Sequence, residues 1–305
     1  MARCFVTRPL PGDALQRLAA AHDVVLNSSD APATREQLLA GVVAAEGLLC
    51  TLSDPVDAAL LDAAPRLRVV SNYAVGTDNI DLAAASERGI PVGHTPGVLT
   101  EATADLALAL ILAAARRIPE SACDVRAGRW GTWSPTGWLG VDVYGQTLAI
   151  VGAGRIGDAV ARRAAGFAMR VLRVGRNDDL HAALAQADVV SLHVPLTPAT
   201  RHLIDAPALA AMKRTAILVN TSRGDVVDQV ALREALVAGR LGAAALDVTT
   251  PEPLAPDDPL LQAPNLIVVP HIGSATHATR ARMADLAVDN LLAGLAGRPL
   301  PHQAQ

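Results

Sequence analysis

Aromatic side chains are almost missing from this chain. Three tryptophans, two tyrosines and two phenylalanines make up 2% of its 305 residues, although 51% are hydrophobic. Its core must therefore be built from Ala, Val, Leu and Ile, which suits parallel strands buried on both faces. A basic excess is missing too. The formal net charge is −4, so little is available to neutralise a phosphate backbone, and nucleic acid is not expected as a main partner. Cysteine is scarce: Cys4, Cys50 and Cys123 are odd in number and far apart. They read as reduced, mostly buried thiols, with no metal-ligand spacing and no catalytic role. Long apolar stretches are absent. The longest uncharged helical run, 106–115, lies between Asp105 and Arg116 and is far too short to cross a bilayer. The opening MARCFVTRPLPG has no basic region followed by an apolar one, so no secretory signal and a cytoplasmic location are expected.

What is present is alternation. Over residues 1–98 the apolar runs RCFVT, DVVLN, GLLCT, RVVSNY and PVGHT read as strands, and LPGDALQRLAAAH, TREQLLAGV and DAALLDAAP as helices between them. A second series, TLAIVG, RVLRVG, VVSLHV, AILVNT, AALDV and LIVVPH, starts near Thr147. Such alternation implies two doubly wound parallel sheets with helices on both faces, an α/β fold. Residues 100–118 read as a helix with Thr100 as N-cap and apolar residues all round, hence buried between domains or subunits. Residues 278–295 form a long helical pattern that returns to the first domain. The expected division is 1–98 plus 280–305, and 99–279. All three tryptophans lie in the glycine-rich loop 128–145. Aromatics placed there suggest either a contact surface or a cover for the domain junction.

The most specific motif is Gly152-Ala153-Gly154-Arg155-Ile156-Gly157, set between an apolar run and an Ala/Arg helical pattern. One glycine permits a tight turn, one lets backbone approach a pyrophosphate, and one lets the helix pack close to the sheet. The helix N-terminus then offers free N–H groups to the phosphates. After the second strand the sequence reads Gly175-Arg176-Asn177. No carboxylate stands at that strand end, and Arg176 can pair with a 2′-phosphate, so NADPH is expected over NADH. Asp178 and Asp179 read as the start of the next helix.

Three polar residues follow three strands of the second domain: Arg223, Glu252 and His271. Strand carboxyl ends form the ligand crevice of a doubly wound sheet. Reduction of a 2-oxo acid needs a cation for the carboxylate and an acid for the carbonyl oxygen. Guanidinium suits the first task and imidazole the second, while Glu252 beside His271 would favour the charged ring. The turn at Val75-Gly76 could cradle the substrate carboxylate with backbone N–H groups. His94 and His193 read as satisfied core residues.

Taken together, NYAVGTDNID, TPGVLTEATADLALALIL, GAGRIG, SLHVPLTPATRHLI, AMKRTAILVNTSRGDVVD, AALDVTTPEPL and PHIGSATHATR resemble the D-isomer-specific 2-hydroxyacid dehydrogenase family. The likeness covers almost the whole chain and is greatest to the glyoxylate/hydroxypyruvate reductase branch. It implies a flavodoxin-like substrate domain and a Rossmann domain, with Arg223, Glu252 and His271 as the catalytic trio. It implies Val75, Gly76 and Ser274 at the substrate. It also implies Thr103, the glycine loop, Arg176, Pro195, Thr221, Asp247 and Gly273 at the cofactor, and no metal. In that branch a tryptophan from the partner of a homodimer closes the substrate pocket, and its motif falls on Trp133. One departure stands out. Relatives carry about a dozen more residues before the helix that starts near Asp179, so this sheet should lack an edge strand and its adenosine pocket should be open. Two other readings are an NADH-dependent dehydrogenase of another 2-hydroxy acid and a dinucleotide-sensing corepressor. Glu252 argues against a formate dehydrogenase.

Overall fold

The computed structural model describes residues 1–304. Its elements run β1 (Arg3–Val6), α1 (Ala14–Ala21), β2 (Asp23–Leu26), α2 (Arg35–Val42), β3 (Gly47–Cys50), α3 (Ala58–Asp62), β4 (Val69–Asn72), α4 (Leu82–Glu87), β5 (Val92–Gly93), α5 (Thr100–Ala115), α6 (Ile118–Arg126) and β6 (Thr147–Val151). They continue α7 (Arg155–Ala164), β7 (Arg170–Val174), α8 (Leu180–Gln186), β8 (Val189–Leu192), α9 (Ala206–Ala211), β9 (Ile217–Asn220), α10 (Gln229–Val237), β10 (Ala243–Leu246), β11 (Leu266–Val268) and α11 (His277–Leu295). The chain forms two compact units: Met1–Leu99 with the segment from Ala275 onward, and Thr100–Ser274.

In the first unit five parallel strands lie in the order β2-β1-β3-β4-β5. Val69, Val70 and Leu49 are fully buried, as strands covered on both faces should be. Helix α11 belongs to this unit. Its Val288 and Leu291 are sealed from solvent, Ser71 Oγ donates to Ala287 O at 2.7 Å, and Arg17 on α1 pairs with Asp285 and Asp289. A Cβ on Gly41 of α2 would stand 2.4 Å from the Phe5 ring, so glycine there makes room for one of the two phenylalanines. Helix α4 was not foreseen. Its signals are local: Asp81 accepts from Ala84 N at 2.9 Å as N-cap, and Gly89 follows at φ +65°.

In the second unit six parallel strands lie in the order β11-β10-β9-β8-β6-β7. The chain turns from β7 back across β6 to β8, so a topological switch point falls between β6 and β8, just beyond the glycine loop. Strand β7 is the sheet's edge, as the shortened segment predicts. Helix α5 rests on this unit's own sheet beside α7, burying Ala104, Ala107, Leu110 and Ile111 within the single chain. Glu101 and Asp105 are exposed and pair with Arg162 and Arg163 of α7, while Leu106, Leu108 and Leu112 are half-buried. Thr100 is its first helical residue rather than its N-cap. The helix ends at Ala115, Arg117 takes a left-handed φ of 52°, and Pro119 opens the separate helix α6.

The loop 128–145 keeps its tryptophans in solvent: Trp130 is 70% and Trp133 78% exposed, with Tyr144 and Leu139 also outward. Cys4 and Cys50 are buried and Cys123 is exposed, and burial pushes the Cys4 thiol up to about 12. Among the described residues, no helix is long and apolar enough to cross a membrane, and no group of three or more His, Cys, Asp or Glu is placed to hold a metal ion.

Candidate active site

Every candidate residue of the second unit except Thr103, Trp133 and those of α7 lies just beyond the carboxyl end of a strand. Gly152 leaves β6 at φ +94°, and a Cβ on it would meet His193 O at 2.7 Å. A Cβ on Gly157 would meet Gly152 O at 2.5 Å and Ile150 Cγ2 at 2.8 Å, so α7 packs directly onto β6. Around Gly154, the N-cap of α7, a Cβ would meet nothing within 4 Å. The loop thus offers open room where the first N–H groups of α7, at Arg155, Ile156 and Gly157, lack intrahelical acceptors. That is the cradle a dinucleotide pyrophosphate requires. Thr221, just beyond β9, has a buried hydroxyl with no partner among the described residues, fitting a cofactor polar group. Pro195 follows β8 and its carbonyl accepts from Thr200 Oγ1 at 2.6 Å.

At the ends of β9, β10 and β11 the structure gathers a cation, a carboxylate and an imidazole. His271 Nδ1 and Glu252 Oε2 stand 2.9 Å apart, and Glu252 Oε1 accepts from Thr249 N at 3.0 Å. Burial would raise the Glu252 carboxyl, but the hydrogen bond and charge of His271, Thr249 N–H and the charge of Arg223 outweigh it. The group is held below its ordinary value. Arg223 is thus electrically coupled to the pair, and its Nη1 donates to Ser222 O at 2.8 Å. A Cβ on Gly224 would stand 2.2 Å from the Thr249 backbone, which brings the loops after β9 and β10 together.

His271 itself has φ 52°, a left-handed conformation that the surroundings must hold. Its N–H bonds Asp247 O at 2.9 Å and Val269 O at 3.0 Å. Asp247 then clamps the next two residues, accepting from Ile272 N at 2.6 Å and Gly273 N at 2.9 Å. Burial pushes the Asp247 carboxyl above its ordinary value, against the pull of those two N–H groups and of His271. Thr103 Oγ1 donates to Gly273 O at 3.2 Å, tying α5 to this loop, and half-buried Ser274 follows.

Within the first unit, Val75 and Gly76 form the turn after β4. No described residue accepts from either N–H. The turn is braced from behind: Asn72 Nδ2 donates to Gly76 O at 2.9 Å, Asn79 bonds Asn72 at 3.0 Å, and His94 Nδ1 bonds Val75 O at 2.8 Å. Sequence reasoning missed these braces, for which long-range contacts carry no local signal. His193 is also not the satisfied core residue expected. Nε2 bonds Ser191 Oγ at 2.9 Å, but Nδ1 is sealed from solvent with no partner among the described residues.

The end of β7 brings a further correction. Arg176 is exposed there, as expected, but the strand end does carry a carboxylate. Asp178 folds back so that its Oδ2 accepts from Gly175 N at 2.7 Å. Asp179 does begin the next helix, accepting from Ala182 N at 3.0 Å as N-cap of α8.

A phosphate cradle at one end of a parallel sheet's carboxyl edge, with guanidinium, carboxylate and imidazole toward the other, is the layout of a nicotinamide-dependent oxidoreductase. The NAD-binding-domain model of the D-isomer specific 2-hydroxyacid dehydrogenase family matches residues 108–273. A glyoxylate reductase of Korarchaeum cryptofilum is 49% identical over 314 aligned positions, covering 98% of this chain and 95% of that protein. A solved protein of Thermus thermophilus superposes with a TM-score of 0.95 at 51% identity, over 99% of this chain and 100% of that one. An NADPH-dependent glyoxylate/hydroxypyruvate reductase of Sinorhizobium meliloti, solved with NADP and malonate, gives 0.87 at 32% identity, over 99% and 96%. The chain belongs to the D-isomer specific 2-hydroxyacid dehydrogenase family.

Proposed function

We propose that this chain reduces glyoxylate and hydroxypyruvate with NADPH, giving the D-2-hydroxy acid where the product is chiral. The His271–Glu252 pair, coupled to Arg223 at the ends of β9 to β11, carries this reading. The names of the Korarchaeum and Sinorhizobium relatives support the substrate, and the exposed Arg176 after β7 supports the phosphorylated dinucleotide.

When bound, the nicotinamide supplies the hydride. Arg223 holds the substrate carboxylate and polarises the adjacent carbonyl through its planar fork. Glu252, kept ionised by its neighbours, accepts the Nδ1 hydrogen of His271 and so orients the ring. Nε2 is then the atom that gives a proton to the carbonyl oxygen, and in the oxidative direction it takes the proton back. Asp247 holds the His271 backbone and the Gly273 N–H, and Thr103, Thr221 and Pro195 complete the cofactor wall. Ser274, with the unclaimed N–H groups of Val75 and Gly76, is assigned to substrate.

The same reading makes the chain a cytosolic homodimer. Trp130, Trp133 and Tyr144 exposed on one loop form the sort of apolar surface that a second copy covers, with Trp133 reaching the partner's substrate. The deciding experiment is a spectrophotometric screen of glyoxylate, hydroxypyruvate and pyruvate against NADPH and NADH. Oxidation of NADPH fastest with glyoxylate or hydroxypyruvate is expected. Preference for pyruvate, or no turnover with any of the three, defeats the proposal.

A further inference from the structure

Strand β5 lies at the edge of the first unit's sheet and consists of Val92 and Gly93 alone. The segment after α11 runs antiparallel beside it. Gly93 pairs with Gln303, Ala304 N donates to Val92 O at 2.8 Å, and His94 N donates to His302 O at 3.0 Å. Asn290 of α11, fully buried, ties the two together. Its Nδ2 donates to His94 O at 2.9 Å, and its Oδ1 accepts from His302 N at 2.9 Å. A Cβ on Gly93 would stand 2.6 Å from Asn290 Cβ, so glycine there admits the amide. Both backbone groups of His94 are thereby held.

From this anchor, residues 94 and 95 grip the turn after β4. Thr95 N donates to Ala74 O at 2.8 Å, and His94 Nδ1 bonds Val75 O at 2.8 Å. A carbonyl oxygen only accepts, so Nδ1 carries the hydrogen. A trans peptide is a rigid plane with its C=O and N–H on opposite sides. Ala74 O shares its plane with Val75 N–H, and Val75 O shares its plane with Gly76 N–H. Gripping the two carbonyls therefore aims the two N–H groups the other way. Of the two grips, only that of His94 is made by a side chain.

We infer that His94 is a positioning residue for substrate: its ring, anchored through Asn290 and residues 302–304, fixes the Gly76 N–H toward a substrate carboxylate. The inference rests on the proposed assignment of Val75 and Gly76 to substrate. That carboxylate keeps its charge during hydride transfer, so the N–H groups hold ground state and transition state alike. Misplacing them raises KM and leaves kcat in place.

His94→Leu removes the ring donor, whereas His94→Asn keeps an N–H close to the place of Nδ1. Steady-state kinetics with glyoxylate and hydroxypyruvate, beside calorimetric titration with NADPH, separate substrate effects from cofactor effects. His94→Leu should raise KM for both acids about tenfold, the loss of one hydrogen bond, with kcat and NADPH affinity near those of wild type. His94→Asn should return KM most of the way. Asn290→Ala should raise KM in the same direction and add nothing further in combination with His94→Leu, because it acts through the ring. An unchanged KM in His94→Leu overturns the inference alone. So does an asparagine variant as impaired as the leucine one, or NADPH affinity that falls in step with KM, because the ring is then merely structural. A wild type that turns over neither acid removes the substrate assignment and the inference with it.

Discussion

Around His271 every backbone and carboxylate group is held. Asp247 takes two N–H groups, Glu252 takes a third and the ring, and the loops after β9 and β10 touch at Gly224. At the other end of the same sheet edge, beyond β7, Arg176 and Asp178 stand in solvent on a turn closed by two hydrogen bonds. The chemical end is preorganised by these bonds, so removing one group there leaves its partners unpaired and costs more. The β7 end is exposed, so charges there are screened and weigh less.

The largest effect expected from this contrast is at His271. His271→Ala should lower turnover by about 10²–10⁴ while dinucleotide affinity stays the same. Steady-state rates within a few-fold of wild type would erase the difference between the ends.

Between them lies His193, beyond β8, whose burial pushes its pKa down to about 4. An unfolded histidine takes a proton near pH 6.5, whereas this one stays neutral until about pH 4. The unfolded state therefore binds more protons in that window, and stability falls as pH falls from 6.5 toward 4. The loss amounts to about 3 kcal/mol at most, at about 1.4 kcal/mol per pKa unit. Urea unfolding of His193→Asn at neutral and acid pH should show a flatter dependence than wild type. An identical slope would mean that the ring is not buried neutral.

The smallest effect belongs to Arg176. Arg176→Ala should weaken NADPH by about tenfold, the loss of one charge-assisted contact, and leave NADH nearly unchanged. Equal losses for both dinucleotides would dissolve the contrast from the other side.

Much of this architecture was legible because its signals are local. Buried parallel strands are short apolar runs, so all eleven could be read from patches such as AILVNT and LIVVPH. Gly152, Gly154 and Gly157 are spaced by the turn itself, and Arg223, Glu252 and His271 each follow such a run. Helix α4 escaped because its six residues, LAAASE, are too few and too Ala-rich to give periodic contrast. Asp178 was assigned to the next helix because adjacent aspartates look alike in sequence, and only Asp179 became the cap. The braces Asn72, Asn79 and His94 join residues up to 19 apart, beyond any local pattern.

Chain order and residue type alone determined the two parallel sheets, the glycine turn after β6 and the trio at three strand ends, because hydrophobic period and glycine spacing act over a few residues. Only the tertiary structure decided that Glu252 meets His271, that Asp247 clamps the loop beyond, and that Asp178 turns back to β7. Those outcomes depend on which strands lie side by side and on where a short loop must close, and no stretch of sequence encodes them by itself.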